Sequence, residues 1–325
     1  MTILSVAYPL FPVAPDSGGG AEQILYLLDR EITRAGHRSL VIAAQGSCIS
    51  GELIQSTDGH LCAIERALRQ HPIDLIHFHG LDFHNYIPET AVPMLATLHL
   101  PIAWYPESIF TLPHVKLNCV SQSQAAATGL PVVLNGIDTQ RFNSPAEKKE
   151  YLFWLGRICP EKGVDMALRV AHRLDVPMVI AGPVHDFESH QQYFESEVAS
   201  LLDAKRRYIG PVHGKEKSKL LAEARCLLVP SLVAETSSLV AMEAVASGTP
   251  VVALDSGALP EVVEHGVTGF IVDSEDEMVE AVTRIGDIRP EICRAQAATR
   301  FDARRMASDY LNLYTQLTSQ YPAAR

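Results

Sequence analysis

The sequence predicts an α/β protein with parallel sheets, divided into two domains. Three observations carry this reading. Short apolar runs of strand length alternate with longer stretches of helical period along most of the chain, the order that buries a parallel sheet beneath helices. The length, 325 residues, favours two cores over one. The polar run over residues 143–150, with Pro145 in it, reads as a linker.

The most informative unit is strand, loop, helix, strand. Residues 226–229 and 251–254 are short apolar runs, joined by a loop that reaches Glu235 and a helix over residues 239–247. Ser237 and Ser238 supply N-cap hydroxyls, and Gly248 followed by Pro250 stops the helix. The helix is apolar almost all round, which predicts burial, yet Glu243 stands in its middle. A buried carboxylate needs a partner. Either a basic side chain or backbone amides pair with it, or it accepts hydrogen bonds from ligand hydroxyls. Seven residues separate Glu235 from Glu243; a wholly helical stretch would place them ~12 Å apart along the axis. Paired glycosidase carboxylates sit roughly 5–9.5 Å apart, so a long ligand touched at two places fits better than an acid and base on one bond. Between them, free N–H groups at Ser238, Leu239 and Val240 form an anion site. The order polyol, anion, polyol describes a nucleotide sugar, with sugar hydroxyls on Glu235, diphosphate at the helix start and ribose on Glu243.

Glu235, seven residues, Glu243, then Ala244 and Ser247 to Val252, resemble the C-terminal signature of retaining GT-B nucleotide-sugar glycosyltransferases of the family-four type. Members of that family carry an aromatic residue and a glycine where this chain has Ser237 and Ser238. The resemblance implies two Rossmann-like domains facing across a cleft. These would be an acceptor domain over residues 1–142, the linker 143–150, a donor domain over 151–301 and a helix over 302–325 returning to the first domain. It further implies a hexosyltransferase that retains anomeric configuration, uses UDP or GDP as the most fitting donor base, and needs neither cofactor nor metal. No Asp-x-Asp occurs to hold a diphosphate through a metal ion.

From the N-terminus, residues 3–7 read as a strand, and Gly18-Gly19-Gly20 open a helix carrying Ile24, Leu25, Leu27, Leu28 and Ile32. This is the geometry for close backbone approach to a phosphate, although the same glycines also make a tight turn. A dinucleotide fold is disfavoured: Gln23 stands where the third fingerprint glycine belongs, and the strand over residues 40–43 ends near Gln45 without an acidic ribose ligand. The resemblance places Gly19 and Gly20 opposite the donor. A helix follows over residues 61–68, then a strand and its exit over 74–80. His77 and His79 share a strand face, and with His84 and His99 they invite a metal reading. A closed ligand set with outer support is not evident, and His77 reads as a satisfied interior histidine. Residues 94–98 form a strand that ends at His99, and the next loop carries Trp104 and Tyr105. Ligands bind beyond the carboxyl ends of such strands, so His99 is a catalytic candidate and Trp104-Tyr105 an acceptor platform, with Trp104 as a loop anchor the alternative. Residues 117–121 and 132–134 are further strands.

In the second half, a strand over residues 151–155 leads to Gly156-Arg157 and Glu161-Lys162-Gly163, then a helix over 164–174. Arg157 and Lys162 stand at a strand's carboxyl end, the obvious positive charge for a diphosphate in an acidic chain. A strand over 177–181, a helix near 193–202 and a short strand to Ile209 follow; relatives place the next loop, here Val212, near the base. Ser274 with Glu277 is a capping box rather than a metal site. The last helix, from Asp302 to about Leu317, aligns Met306, Tyr310, Leu311, Tyr314 and Leu317.

Composition excludes other classes. A net charge of −11 argues against nucleic acid, and seven Lys plus Arg against twelve Asp plus Glu in residues 1–145 leave no basic surface for strong membrane association. Six scattered cysteines without a Cys-x-x-Cys pair fit reduced thiols in the cytoplasm and no zinc site. The partners expected are a nucleotide-sugar donor and an acceptor that is a small molecule or glycan. Two rival functions share the residues: a nucleotide-sugar epimerase or hydrolase needing no acceptor, and a non-catalytic sugar-nucleotide-binding protein, for which Ser237-Ser238 is the hint.

Overall fold

The computed structural model describes residues 1–320. The chain forms two units, residues 1–137 with the segment from Asp302 onward, and residues 138–301.

In the first unit, β1 (Thr2–Val6), α1 (Gly20–Arg34), β2 (Arg38–Ala43), β3 (Glu52–Gln55), α2 (His60–Gln70), β4 (Leu75–Phe78), β5 (Met94–Leu98), β6 (Val115–Cys119) and α3 (Gln122–Ala125) alternate as expected. All strand pairs are parallel, in the order β3-β2-β1-β4-β5-β6. β1, β4 and β5 are buried along nearly their whole length, as a sheet covered on both faces requires. β3 was not foreseen, because its polar ends and half-buried middle lack both an apolar run and a clean alternation. Residues 132–134 make a single bridge, Cys119 to Val132, in place of the expected strand.

The second unit contains α4 (Thr139–Phe142), β7 (Leu152–Leu155), α5 (Val164–Arg173), β8 (Met178–Ala181), α6 (Glu188–Tyr193), β9 (Arg206–Tyr208), α7 (Gly214–Glu223), β10 (Cys226–Val229), α8 (Leu239–Ala246), β11 (Val251–Leu254), α9 (Leu259–Val262), β12 (Gly269–Val272), α10 (Glu275–Thr283) and α11 (Pro290–Arg300). Its parallel sheet runs β12-β11-β10-β7-β8-β9. Counted from its own first strand this is the same winding as the first unit, so each sheet reverses direction once, between β1 and β4 and between β7 and β10. Ligands of doubly wound sheets bind beyond the strand ends at that reversal.

Residues 138–142, placed with the first domain on sequence grounds, belong to the second unit. The cause is Phe142, which is buried and takes the Lys217 ammonium 5.7 Å from its ring centre. The linker also adheres to this unit: Lys148 donates to Ala222 O and Thr249 Oγ1, and the Lys149 amide to Glu223 O. The helix expected near residues 193–202 starts at Glu188, then continues as a π turn (Phe194–Val198) and a 3-10 turn (Ala199–Leu201). The Ser274 hydroxyl accepts from the Glu277 amide, and Glu277 accepts from the Asp273 amide, the capping box of α10.

α12 (Ala303–Gln320) packs within the first unit, with Met306, Tyr310, Tyr314 and Leu317 buried and Leu311 only half-buried. Its stripe is not wholly apolar. Tyr314 OH meets His77 Nδ1 at 2.7 Å, and His77 Nε2 meets Thr97 Oγ1 at 2.7 Å. Thr97 also donates to Asn118 Oδ1 and lies 3.1 Å from Tyr310 OH. Both His77 nitrogens are therefore satisfied, and burial followed by the nearby His99 holds its pKa well below the ordinary imidazole value. Removing one member of a buried pair leaves the other unsatisfied, at about 1–3 kcal/mol. Tyr314→Phe is expected to lower stability by that amount in denaturant unfolding, and an unchanged midpoint and slope would count against this docking.

Candidate functional site

At the β7/β10 reversal, the loops leaving the two strands meet. Gly156 and Arg157 follow β7, and Trp154 lies under Gly156 while its Nε1 donates to Lys162 O at 3.4 Å. Gly163 is left-handed, with φ +61°, and a Cβ there would strike the Pro230 carbonyl at the end of β10. Leu232 N donates to Glu161 O at 2.9 Å, tying the loops together.

Lys162 Nζ bonds Glu235 Oε1 at 2.5 Å, and the Ser231 hydroxyl donates to the same oxygen at 2.7 Å. The Glu235 backbone is fixed by Gly257, left-handed at φ +59°, whose missing side chain lets the two segments touch, and by Ala258 N donating to Glu235 O at 2.8 Å. Two of the predicted site residues are thus brought into direct contact. Arg157 is half-buried, with its guanidinium 3.9 Å from Glu161.

Glu243 is 4% exposed, and Lys217 Nζ on α7 reaches its Oε1 at 2.6 Å. The carboxylate in the apolar helix therefore has a basic partner. Sequence reasoning missed Lys217. The signal was available: Lys217 and buried Leu221 are four residues apart on α7, which places both on one helix face.

The serines do not cap α8. Ser238 occupies the N-cap with φ −104° and ψ 91° but makes no side-chain capping bond, and the Ser237 hydroxyl is buried without a partner. Leu239 and Val240 form the half-buried first turn. At the other end Gly248, φ +71°, closes the helix, its amide donating to Val245 O and that of Thr249 to Ala244 O. Val212, assigned to the base, is buried in the loop after β9.

In the first unit, Gly19 is the N-cap of α1, and a Cβ on it would overlap the Glu22 carboxylate. Gly20 is the first helical residue. Glu22 is buried, its Oε1 has no partner, and burial raises its pKa. His99 follows β5 and its Nε2 meets His79 Nδ1 at 3.0 Å. The aromatic pair divides: Trp104 is 60% exposed, which excludes the core anchor, whereas Tyr105 is 5% exposed and its hydroxyl accepts from Leu100 N. Tyr105 is therefore a packing residue, and only Trp104 presents a ring to solvent.

A family profile described as "Glycosyl transferases group 1" matches residues 136–299, just over half the chain and nearly all of the second unit. The chain belongs to that family. Among similar curated proteins is the D-inositol 3-phosphate glycosyltransferase of Saccharomonospora viridis, 29% identical over 228 residues, 61% of this chain and 52% of that one. The chain spans about half the length of the curated relatives it matches. Among solved structures, sucrose-phosphate synthase from Thermosynechococcus elongatus superposes with a TM-score of 0.81 at 18% identity, covering 98% of this chain and 100% of that one. Anabaena HepE in complex with UDP-glucose gives 0.77 at 18%, with the same coverage. These neighbours establish the GT-B fold.

Burial holds the His99 pKa down to about 4, and holds His79 well below the ordinary value, reinforced by the neighbouring His77 and His99 rings. The unfolded chain takes up these protons near pH about 6.5 and the folded chain does not. This stabilisation is therefore complete above about 6.5 and lost as pH falls towards about 4 for His99. In denaturant unfolding between pH about 7.5 and about 5, wild type should lose stability more steeply than His99→Asn, and equal slopes would refute the assignment.

Proposed function

We propose that this chain transfers a glycosyl group from a nucleoside-diphosphate sugar to a small-molecule or glycan acceptor, with retention and without a metal holding the diphosphate. The observation that carries the proposal is the pair of lysine-held carboxylates, Lys162–Glu235 and Lys217–Glu243, on either side of the α8 N-terminus at the sheet reversal. HepE, with the same fold, was solved with UDP-glucose, which supports a UDP-sugar as the first donor to try.

The bond that breaks joins the anomeric carbon to the diphosphate, and the bond that forms joins that carbon to an acceptor oxygen. As the carbon becomes cationic, the departing diphosphate gains negative charge. Arg157, Lys162 and the α8 amides would stabilise it. Lysine has three donors, so Lys162 can keep Glu235 while reaching a phosphate oxygen. Glu235 would orient the sugar hydroxyls and Glu243 the ribose, each carboxylate having two oxygens to share between its lysine and the ligand. His99 is kept as a catalytic candidate and Trp104 as an acceptor contact. The acceptor hydroxyl proton would leave on the departing diphosphate, so no side-chain nucleophile is required. Preorganised charge of this kind is usually the largest catalytic contribution.

Arg157→Ala with Lys162→Ala should abolish the rise in melting temperature caused by UDP or GDP. Turnover should fall by at least the roughly 10²–10³-fold that loss of one such donor costs. Donor affinity and turnover unchanged in a folded double variant would overturn the proposal. Product analysis with and without acceptor separates transfer from hydrolysis or epimerisation.

A further inference from the structure

Scattered cysteines argue against zinc by spacing, but folding can gather residues that spacing keeps apart. Cys159 ends the loop after β7, Glu161 follows two residues later, and His190 arrives from α6. One ligand atom from each, the Cys159 thiol, a Glu161 carboxylate oxygen and a His190 ring nitrogen, all lie within 4.8 Å of one another. His190 is 8% exposed, and its Nδ1 is buried with no hydrogen-bond partner. A nitrogen so placed has lost water without gaining a partner, a state that calls for an explanation such as an ion. Cys159 is fully buried, whereas Glu161 is half-buried and gives the cluster an edge towards solvent.

We propose that Cys159, Glu161 and His190 bind a divalent transition-metal ion of the zinc class. Thiolate, imidazole and carboxylate are all zinc ligands, and three protein ligands leave a fourth position for water. A tetrahedral zinc ion holds its ligand atoms roughly 3.3–3.8 Å apart, so the cluster must contract slightly, which the rotatable bonds of Glu161 permit. One thiolate and one carboxylate balance the charge of a divalent ion, leaving no net charge in a half-buried place. Burial, with help from Glu161, now pushes the Cys159 thiol up to about 11. Metal uptake therefore expels that proton and weakens as pH falls.

The ion would also draw Glu161 away from Arg157, now 3.9 Å off, and stiffen the loop that carries Lys162. That consequence rests on the function proposed above; metal binding does not, and no step of the transfer is routed through the ion.

The test uses the full chain with Cys48→Ser and Cys62→Ser, which removes the two exposed thiols. Cobalt titration should give a thiolate-to-metal absorption band saturating at one equivalent, and zinc should raise the melting temperature. Cys159→Ser and His190→Gln should each weaken binding by more than the roughly 10–100-fold that loss of an outer-shell partner costs. Absence of the band at one equivalent, or its survival in either folded variant, would overturn the proposal. If Cys159→Ser does not fold, His190→Gln decides. Because binding is measured without donor or acceptor, its failure is distinct from failure of the transferase reading.

Discussion

Two lysine–carboxylate pairs govern the second unit. Glu243 lies in a helix buried because it is apolar, and a carboxylate there is tolerable only with Lys217 against it. Breaking such a pair from one side costs about 3–5 kcal/mol, because the remaining charge stays buried. The pairing explains why α7 carries a lysine inward, and why Phe142 is drawn in beneath the same ammonium. Lys162 and Glu235 form the second pair, held by a Ser231 hydroxyl and by the backbone contact at Gly257.

Around these charges the loops are held by backbone contacts as well as by side chains. Gly163 against the Pro230 carbonyl and Gly257 against Glu235 are close approaches that a side chain would prevent. Such approaches fix the loop backbones against one another. At the start of α8 neither Ser237 nor Ser238 closes the helix with a hydroxyl.

The first unit solves a different problem. Its sheet would expose β4 and β5 on one face without α12, and the helix docks with tyrosines as well as apolar residues. His77 holds Tyr314 on one side and Thr97 on the other, so the contact specifies register as well as burial. His79 and His99 share one hydrogen bond, in which only one ring can supply the proton. Their burial fixes them as neutral groups in the physiological range.

The sequence by itself determined the alternation of strand and helix, the buried helix with its stranded carboxylate, the capping box at Ser274 and the placement of Arg157, Lys162 and Glu235 in loops at strand ends. These follow from periodicity and local backbone chemistry, which neighbouring residues carry. Chain order alone did not reveal β3, whose edge position requires no apolar run, or the inward turn of Tyr105. It also could not pair Glu243 with Lys217, 26 residues away, or gather Cys159 and Glu161 with His190. Those juxtapositions belong to the tertiary structure, because only the winding of the sheet decides which loops and helix faces share a place, and only there does a buried charge find its partner.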